Sequence, residues 1–219
     1  MRSKLIVVDD FYTHPEKVRA RALTSAYANI EATDYPGYAS KMRLDAKLLR
    51  QRFGELIGAE LNVDNARFTW GNFRFITEET GARAKVHADV AVDWAGMVYL
   101  TPDAPPSAGT GFFRHKQTAL EGPPSNRQAR ALGFSNAQEF DDLVIRPDKA
   151  DLSKWERTMA IEPRYNRLIL FRGSEFYHAP LGGMGHDPQT ARLTHIFFFN
   201  EYPRASVVVR EVGADALIA

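Results

Sequence analysis

The sequence predicts a mainly β chain with flanking helices: a double-stranded β-helix (a jelly-roll, cupin-like core) with N-terminal helices packed on one sheet. Three observations carry this. Aromatic residues make up 11% of the chain, with 14 Phe, a usage that favours strands. Apolar residues recur at helical spacing before residue 60, and from Ala66 onward they alternate in short runs. Gly- and Pro-bearing turns separate those runs, which is the texture of a double antiparallel sheet. With 219 residues, 44% of them hydrophobic, the chain is expected to form a single domain over 1–219.

The elements follow in order. Lys4 to Val8 reads as a short strand. Thr13-His14-Pro15-Glu16 has the form of a capping box with Pro in the first turn, and predicts a helix over 13–27 with Val18, Ala22 and Ala26 on one face. A second helix is expected over 45–60, its apolar stripe made by Leu49, Phe53, Leu56 and Ile57. Strands are then expected over 67–76, 85–92, 96–101, 111–115, 157–161, 167–171, 175–178, 192–200 and 205–210. Residues 116–155 interrupt the pattern with Gly122-Pro123-Pro124, a helical stretch over 126–132 and a second capping-box-like run, Ser135-Asn136-Ala137-Gln138. This segment reads as an insertion at the barrel mouth, the usual place of a lid or binding loop.

Composition narrows the function. The 28 basic and 27 acidic residues give a net charge of +1, which argues against nucleic acid or an anionic membrane as the main partner. The chain has no cysteine, which excludes disulfides, thiolate catalysis and Cys-type zinc sites and fits a reducing cytoplasm. The apolar run Leu5-Ile6-Val7-Val8 is too short for a signal-peptide core, and no stretch approaches the ~18 apolar residues of a membrane span. The expectation is a cytoplasmic protein, single or as a homodimer, acting on a small molecule or peptide.

The chemistry-bearing residues lie in the β-rich part. On a strand, His87 and Asp89 point to one face and could grip a metal ion from one side. His178, far downstream, must come from another strand brought alongside. Two histidines and one carboxylate form the facial set that leaves several positions on iron open. A His-x-Asp pair alone is common; the weight comes from its companions. His178 falls at a strand end before Ala179-Pro180-Leu181-Gly182-Gly183, and Arg192 and Thr194 share a face further on. Among the other histidines, His14 sits in a helix cap, His186 in a Gly-rich turn, and His195 on the face opposite Arg192 and Thr194. His115 ends a strand and is a candidate substrate contact.

The order His87-x-Asp89, His178, Arg192-x-Thr194 resembles the Fe(II)/2-oxoglutarate-dependent dioxygenase superfamily, in particular its prolyl-hydroxylase-like branch, with Arg-x-Thr in place of the usual Lys. Val7-Val8-Asp9-Asp10-Phe11 before a helix resembles the opening of many such enzymes. Met97-Val98-Tyr99-Leu100-Thr101, followed by Gly109-Thr110-Gly111-Phe112, resembles their strand-loop-strand after the first two ligands. The resemblance spans most of 7–209 outside the insertion. It implies Fe(II) on His87, Asp89 and His178, with O2 and 2-oxoglutarate as co-substrates. Arg192 would pair with the distal carboxylate of 2-oxoglutarate, a match for its planar fork, with Thr194 and Tyr99 as hydroxyl donors. Asn72 and Arg74 are placed to reach the co-substrate or the substrate, and Trp94 and Trp155 to line the substrate space. The implied outcome is hydroxylation of an amino acid, a peptide side chain or a small natural product, and the Arg at the usual Lys position argues against prolyl substrates. Two rival readings remain at this level. A zinc hydrolase could use the same three ligands but has no need of Arg192-x-Thr194, and no His-Glu-x-x-His or Gly-x-Ser-x-Gly motif is present. A non-enzymatic jelly-roll module binding a metal or ligand could keep the fold without an intact triad and clamp.

Overall fold

Eleven strands and six α-helices are present among the residues described by the computed structural model, 3–31, 34–64 and 67–202. In chain order they are β1 (Leu5–Val8), α1 (Pro15–Leu23), β2 (Tyr27–Ile30), β3 (Gly37–Arg43), α2 (Lys47–Ile57), β4 (Leu61–Asn62), β5 (Trp70–Ile76), α3 (Glu78–Gly81), β6 (Trp94–Tyr99) and β7 (Thr110–His115). The short helices α4 (Asn126–Ala131), α5 (Ala137–Phe140) and α6 (Arg146–Asp148) follow, then β8 (Trp155–Ile161), β9 (Leu168–Phe171), β10 (Tyr177–Pro180) and β11 (Arg192–Glu201). The large sheet runs β1-β9-β6-β11-β5-β3-β2, with β4 paired to the end of β11; the small sheet is β10-β7-β8. All of these pairings are antiparallel. From β5 onward the chain winds back and forth between the two sheets, and the result is a jelly roll.

Period-two alternation sorts the side chains between the two faces of the large sheet. On β11, Leu193, Phe197 and Phe199 point outward into a core completed by Phe53 and Ile57 of α2 and Ala22 of α1. The even-numbered Ile196 points inward with Met97, Tyr99, Ile169 and Phe171 towards Phe112 of the small sheet. The helical stripe of α2 is used as its spacing predicts, and the helix stops at Gly58, whose φ of 64° supplies the left-handed cap. A bulge at Gly71 (φ 75°) lets Leu44 donate its N–H to the Gly71 carbonyl at 2.7 Å; a Cβ there would meet Leu44 O at 2.6 Å.

His195 lies in the outer core, fully buried, and its Nδ1 accepts from the Tyr12 hydroxyl at 2.7 Å. Its Nε2 faces the Gly71 and Leu44 carbonyls without a hydrogen bond of normal length. Burial pushes its pKa down to about 3. As pH drops below about 6.5, an unfolded chain gains a proton on this ring that the folded chain refuses. Stability is therefore expected to fall from about pH 6.5 downward and to be flat above it, with about 2 kcal/mol lost at pH 5 from this residue. Denaturation midpoints between pH 7 and pH 5 check this: a His195→Gln variant should lose less than the wild type, and equal losses would refute the assignment.

Several elements depart from expectation. Helix α1 ends at Leu23 because Thr24 and Ser25 turn their hydroxyls back onto the Arg21 carbonyl (3.1 and 3.0 Å), and the chain then enters β2. The Thr13 capping box does not form: His14 is the N-cap and no side chain caps the helix. Neither β2 nor β3 was predicted, since Tyr-Ala-Asn-Ile and Gly-Tyr-Ala-Ser-Lys-Met-Arg carry no clear alternation. The strand expected over 85–92 shrinks to a single bridge, His87 with His178. Beyond it a turn brings the Val92 N–H onto the Asp89 carbonyl at 3.1 Å and leaves Val90 71% exposed. The strand expected over 205–210 lies outside the described residues.

Between β7 and β8, Ser125 and Gln128 form a true capping box for α4, and Asn136 caps α5 by accepting from the Glu139 N–H. Ala129, Phe140 and Ile145 of this segment bury against Trp155 and Tyr177. Among the described residues no helix is long and apolar enough to cross a membrane.

Candidate metal centre and its cavity

Three anchored backbone points bring the candidate ligands together. His87 and His178 exchange backbone hydrogen bonds (3.0 and 2.8 Å), which sets their side chains next to each other with ring centroids 4.6 Å apart. Asp89 donates its N–H to Gly173 O at 2.9 Å, and Gly173 is packed so closely that a Cβ there would stand 3.0 Å from Asp89 Cβ. One ligand atom from each of His87, Asp89 and His178 lies within 4.8 Å of the others. Asp89 Oδ2 is 3.2 Å from His178 Nε2, and Oδ1 is 3.8 Å from His87 Nε2.

The donor set fits a divalent metal. His87 Nδ1 lies 2.9 Å from the Lys85 carbonyl and His178 Nδ1 lies 3.1 Å from the Phe176 carbonyl. A carbonyl only accepts, so each Nδ1 carries the proton and each Nε2 presents its lone pair to the centre. Burial, reinforced by His178, pushes His87 down to about 4, so its ring is neutral at pH 7. Burial alone would raise the Asp89 carboxyl, but the His178 ring beside it, followed by His87 and Arg74, outweighs burial and holds it below the usual range in the metal-free protein.

The triad opens on a cavity of about 310 Å³ between the sheets, at the lower end of the range for ligand sites. Ala95, Met97, Phe171 and Phe198 supply its apolar wall, while Arg192, Arg74, Thr110, Tyr35 and Asp34 supply polar groups. Arg192 is 1% exposed. Its Nε donates to Ala108 O (2.6 Å), Nη1 to the Tyr35 hydroxyl (2.6 Å) and Nη2 to Thr110 Oγ1 (3.1 Å). No carboxylate among the described residues pairs with it. A fully buried cation held only by neutral acceptors is a ready seat for an anion.

A family model described as a family of unknown function, DUF6445, matches residues 1–199. The chain belongs to the DUF6445 family. No curated protein matches it. Among solved structures, it is similar to an oxidoreductase of the 2OG-Fe(II) oxygenase family from Burkholderia pseudomallei, with 11% identity, 92% of this chain and 89% of that chain covered, and a TM-score of 0.50. HygX from Streptomyces hygroscopicus, solved with nickel and 2-oxoglutarate, is also 11% identical, with 92% and 86% covered and a TM-score of 0.46. A further HygX structure that also holds hygromycin B gives the same identity and coverage and 0.45. The first of these likenesses shows a shared jelly-roll fold.

In this DUF6445 member the other expected site residues fall in different places. Tyr99 points inward; its hydroxyl is 2.7 Å from Thr110 Oγ1, and its ring lies 5.1 Å from the Arg192 guanidinium. Thr194 shares the inward face of β11 as expected, but its hydroxyl donates to the Arg74 carbonyl (3.2 Å) and does not line the cavity. The hydroxyl beside Arg192 is that of Thr110. Asn72 donates to Ser40 O at 2.9 Å and stays outside the cavity, whereas Arg74 lines it.

The three expected substrate contacts are corrected. His115 is fully buried, with Nε2 2.9 Å from Asp148 Oδ2 and Nδ1 3.1 Å from Thr118 Oγ1, and it fastens the 116–154 segment. Trp94 faces the outer core, because residues 95, 97 and 99 take the inward side of β6, and its Nε1 donates to Glu201 (2.9 Å). Trp155 packs on His115 and Tyr177 and donates to Asp148 O, away from the triad.

Sequence reading missed Tyr35, Thr110 and Asp34. Thr110 stood in the quoted Gly109-Thr110-Gly111-Phe112 run and begins a strand two residues before an inward Phe, which is a usable signal. Tyr35 and Asp34 lie on a connection before Pro36-Gly37, and nothing local marks them.

Proposed function

We propose that this chain is an Fe(II)- and 2-oxoglutarate-dependent dioxygenase that hydroxylates an amino acid, a peptide side chain or a small natural product. The observation that carries the reading is Arg192, a buried guanidinium without a carboxylate partner among the described residues, in the same cavity as a converging His-Asp-His set. The likeness in fold to a 2OG-Fe(II) oxygenase family member supports it. His87 Nε2, His178 Nε2 and an Asp89 oxygen would hold the iron. When bound with 2-oxoglutarate and O2, iron supplies oxidative decarboxylation of the 2-oxo acid coupled to hydroxylation of a C–H bond.

The protein's own part is binding, orientation and exclusion of water. Arg192 takes the distal carboxylate of 2-oxoglutarate in its planar fork, with the Tyr35 and Thr110 hydroxyls alongside. Tyr99 fixes Thr110. Met97, Phe171 and Phe198 give the rest of the cavity an apolar wall. A zinc hydrolase on the same triad would leave Arg192 without a role. Anaerobic addition of Fe(II) and 2-oxoglutarate should produce a visible metal-to-ligand charge-transfer band; a wild-type protein that develops none would end the oxygenase reading.

Residues 116–155 act as a lid in this reading. Lys149 Nζ reaches Asp34 Oδ2 on the cavity rim at 2.9 Å, and the Val86 N–H donates to Lys149 O at 3.0 Å next to His87. The pair is partly exposed, so its own contribution to stability is small. Lys149→Met is expected to change substrate turnover severalfold while leaving iron stoichiometry intact; parallel loss of iron would make the segment structural instead.

A further inference from the structure

Strand alternation sends Arg192 and Phe198 of β11 to the same inward face, three alternations and so about 20 Å apart along the strand. A Cβ on Gly173 would stand 3.0 Å from Asp89 Cβ and 3.3 Å from the Cβ of Ala95, the β6 residue opposite Phe198, so Asp89 lies at the Phe198 end. With its distal carboxylate on Arg192, the co-substrate lies between that residue and the metal. The other reactant must reach the metal from another side. A second recess, of about 250 Å³, shares Asp89 and Phe198 with the metal cavity. Phe68, Val90, Ala91, Val92 and Phe198 give it an apolar lining. It is open to solvent: Val90 is 71% exposed, Ala91 is exposed, and Asp89 and Phe198 are partly so. The charged groups in its wall are Asp89, a candidate metal ligand, and Arg67, whose Cζ lies 5.5 Å from the centroid of the Phe68 ring. Backbone bonds hold the walls in place: the Phe198 N–H donates to Thr69 O at 2.7 Å and the Val92 N–H to Asp89 O at 3.1 Å. Such a wall stabilises a ligand mainly by removing apolar surface from water.

We infer that this recess is the substrate's docking site, and that the substrate lays an apolar group, aliphatic or aromatic, against Phe68, Val90 and Phe198 beside the metal. This rests on the oxygenase reading and narrows its substrate to molecules that carry such a group. At about 250 Å³ the recess is smaller than the roughly 300–1,000 Å³ of sites that enclose a whole drug-sized ligand, so it takes one group of the substrate and leaves the remainder in solvent.

The test uses the full chain loaded anaerobically with Mn(II), whose unpaired electrons speed the relaxation of nearby protons, and saturated with 2-oxoglutarate. The Zn(II)-loaded protein is the diamagnetic control. Indole, benzyl alcohol and isoamyl alcohol are titrated in by ligand-observed NMR against glycerol. At least one apolar probe should bind more tightly than glycerol, and its protons should relax faster on the Mn(II) protein than on the Zn(II) protein. Val90→Asn, at an exposed position, should weaken that probe by about fivefold or more while metal and 2-oxoglutarate bind as in wild type. Phe68→Leu keeps the wall apolar without the ring, and should weaken indole more than isoamyl alcohol. The inference is overturned if no apolar probe binds, if glycerol binds as well, if Mn(II) leaves the relaxation of the bound probe unchanged, or if both variants bind the probes as wild type does. A wild-type dimer that Val90→Asn splits would make the recess an interface between copies of this chain, and overturns it too. Failure of the wild type to take up metal and 2-oxoglutarate is a separate result that removes the oxygenase reading, and this inference with it.

Discussion

Replacing Arg192 with Ala is expected to weaken 2-oxoglutarate binding by about thirtyfold or more, since truncating one partner of a buried, hydrogen-bonded charge pair costs roughly 2–5 kcal/mol. The side chain is fully enclosed and its three nitrogens reach Ala108, Tyr35 and Thr110. Arg74 approaches the same cavity but is held under the Tyr35 ring. Metal uptake should persist, because none of the three candidate ligands bonds to Arg192. Anaerobic titration reads both quantities: the metal should bind as in wild type, and the charge-transfer band should need far more 2-oxoglutarate. Arg192→Lys separates charge from shape, and should recover only part of the affinity because an ammonium lacks the fork. Undiminished 2-oxoglutarate binding in Arg192→Ala would remove the clamp from the mechanism.

How much of this could be read from the chain depends on which interactions are local. The inward direction of Arg192 followed from strand alternation on β11, a ten-residue strand paired on both sides. The shared aim of His87 and Asp89 was argued from a strand that does not form. The two side chains converge because the His87 backbone bridges to His178 and Asp89 is tied separately to Gly173. Two long-range contacts thus produce the geometry that period-two spacing also predicts. Thr194 shows the opposite failure. Its direction was right, but a backbone carbonyl on the neighbouring strand captures its hydroxyl. His115 was read as a substrate contact because it ends a strand, and Trp155, at the end of the insertion, as lining the substrate space. Instead, each bonds to Asp148 within that insertion, a pairing across the segment that no spacing rule reveals. Tyr35 reaches Arg192 from a connection between two strands that were themselves too irregular to predict.

Metal binding is expected to raise the melting temperature of the wild-type protein by roughly 5–10 °C when free metal is about a hundred times its dissociation constant. At that ratio linkage contributes about 2.7 kcal/mol, and about 2–4 °C follows per kcal/mol for a chain of this length. Asp89→Ala and His178→Ala should each cut the shift to about half or less. Losing even an outer partner of a metal ligand costs about 10–100-fold in affinity, and losing the ligand itself costs at least that. The two variants differ in what they leave behind. Without Asp89, the buried Arg74 loses the acidic neighbour whose charge favours its ionised form, so the metal-free protein itself should melt lower than wild type. Without His178, the ring packed against Phe171 (centroids 4.6 Å apart) is gone, but the backbone bridge to His87 does not depend on it, so His87 keeps its place. Differential scanning fluorimetry with Fe(II) under anaerobic conditions, and with Zn(II) in air, gives the shifts directly. An undiminished shift in both variants would mean that the metal sits elsewhere, and the candidate triad would then be a buried ion pair rather than a metal centre.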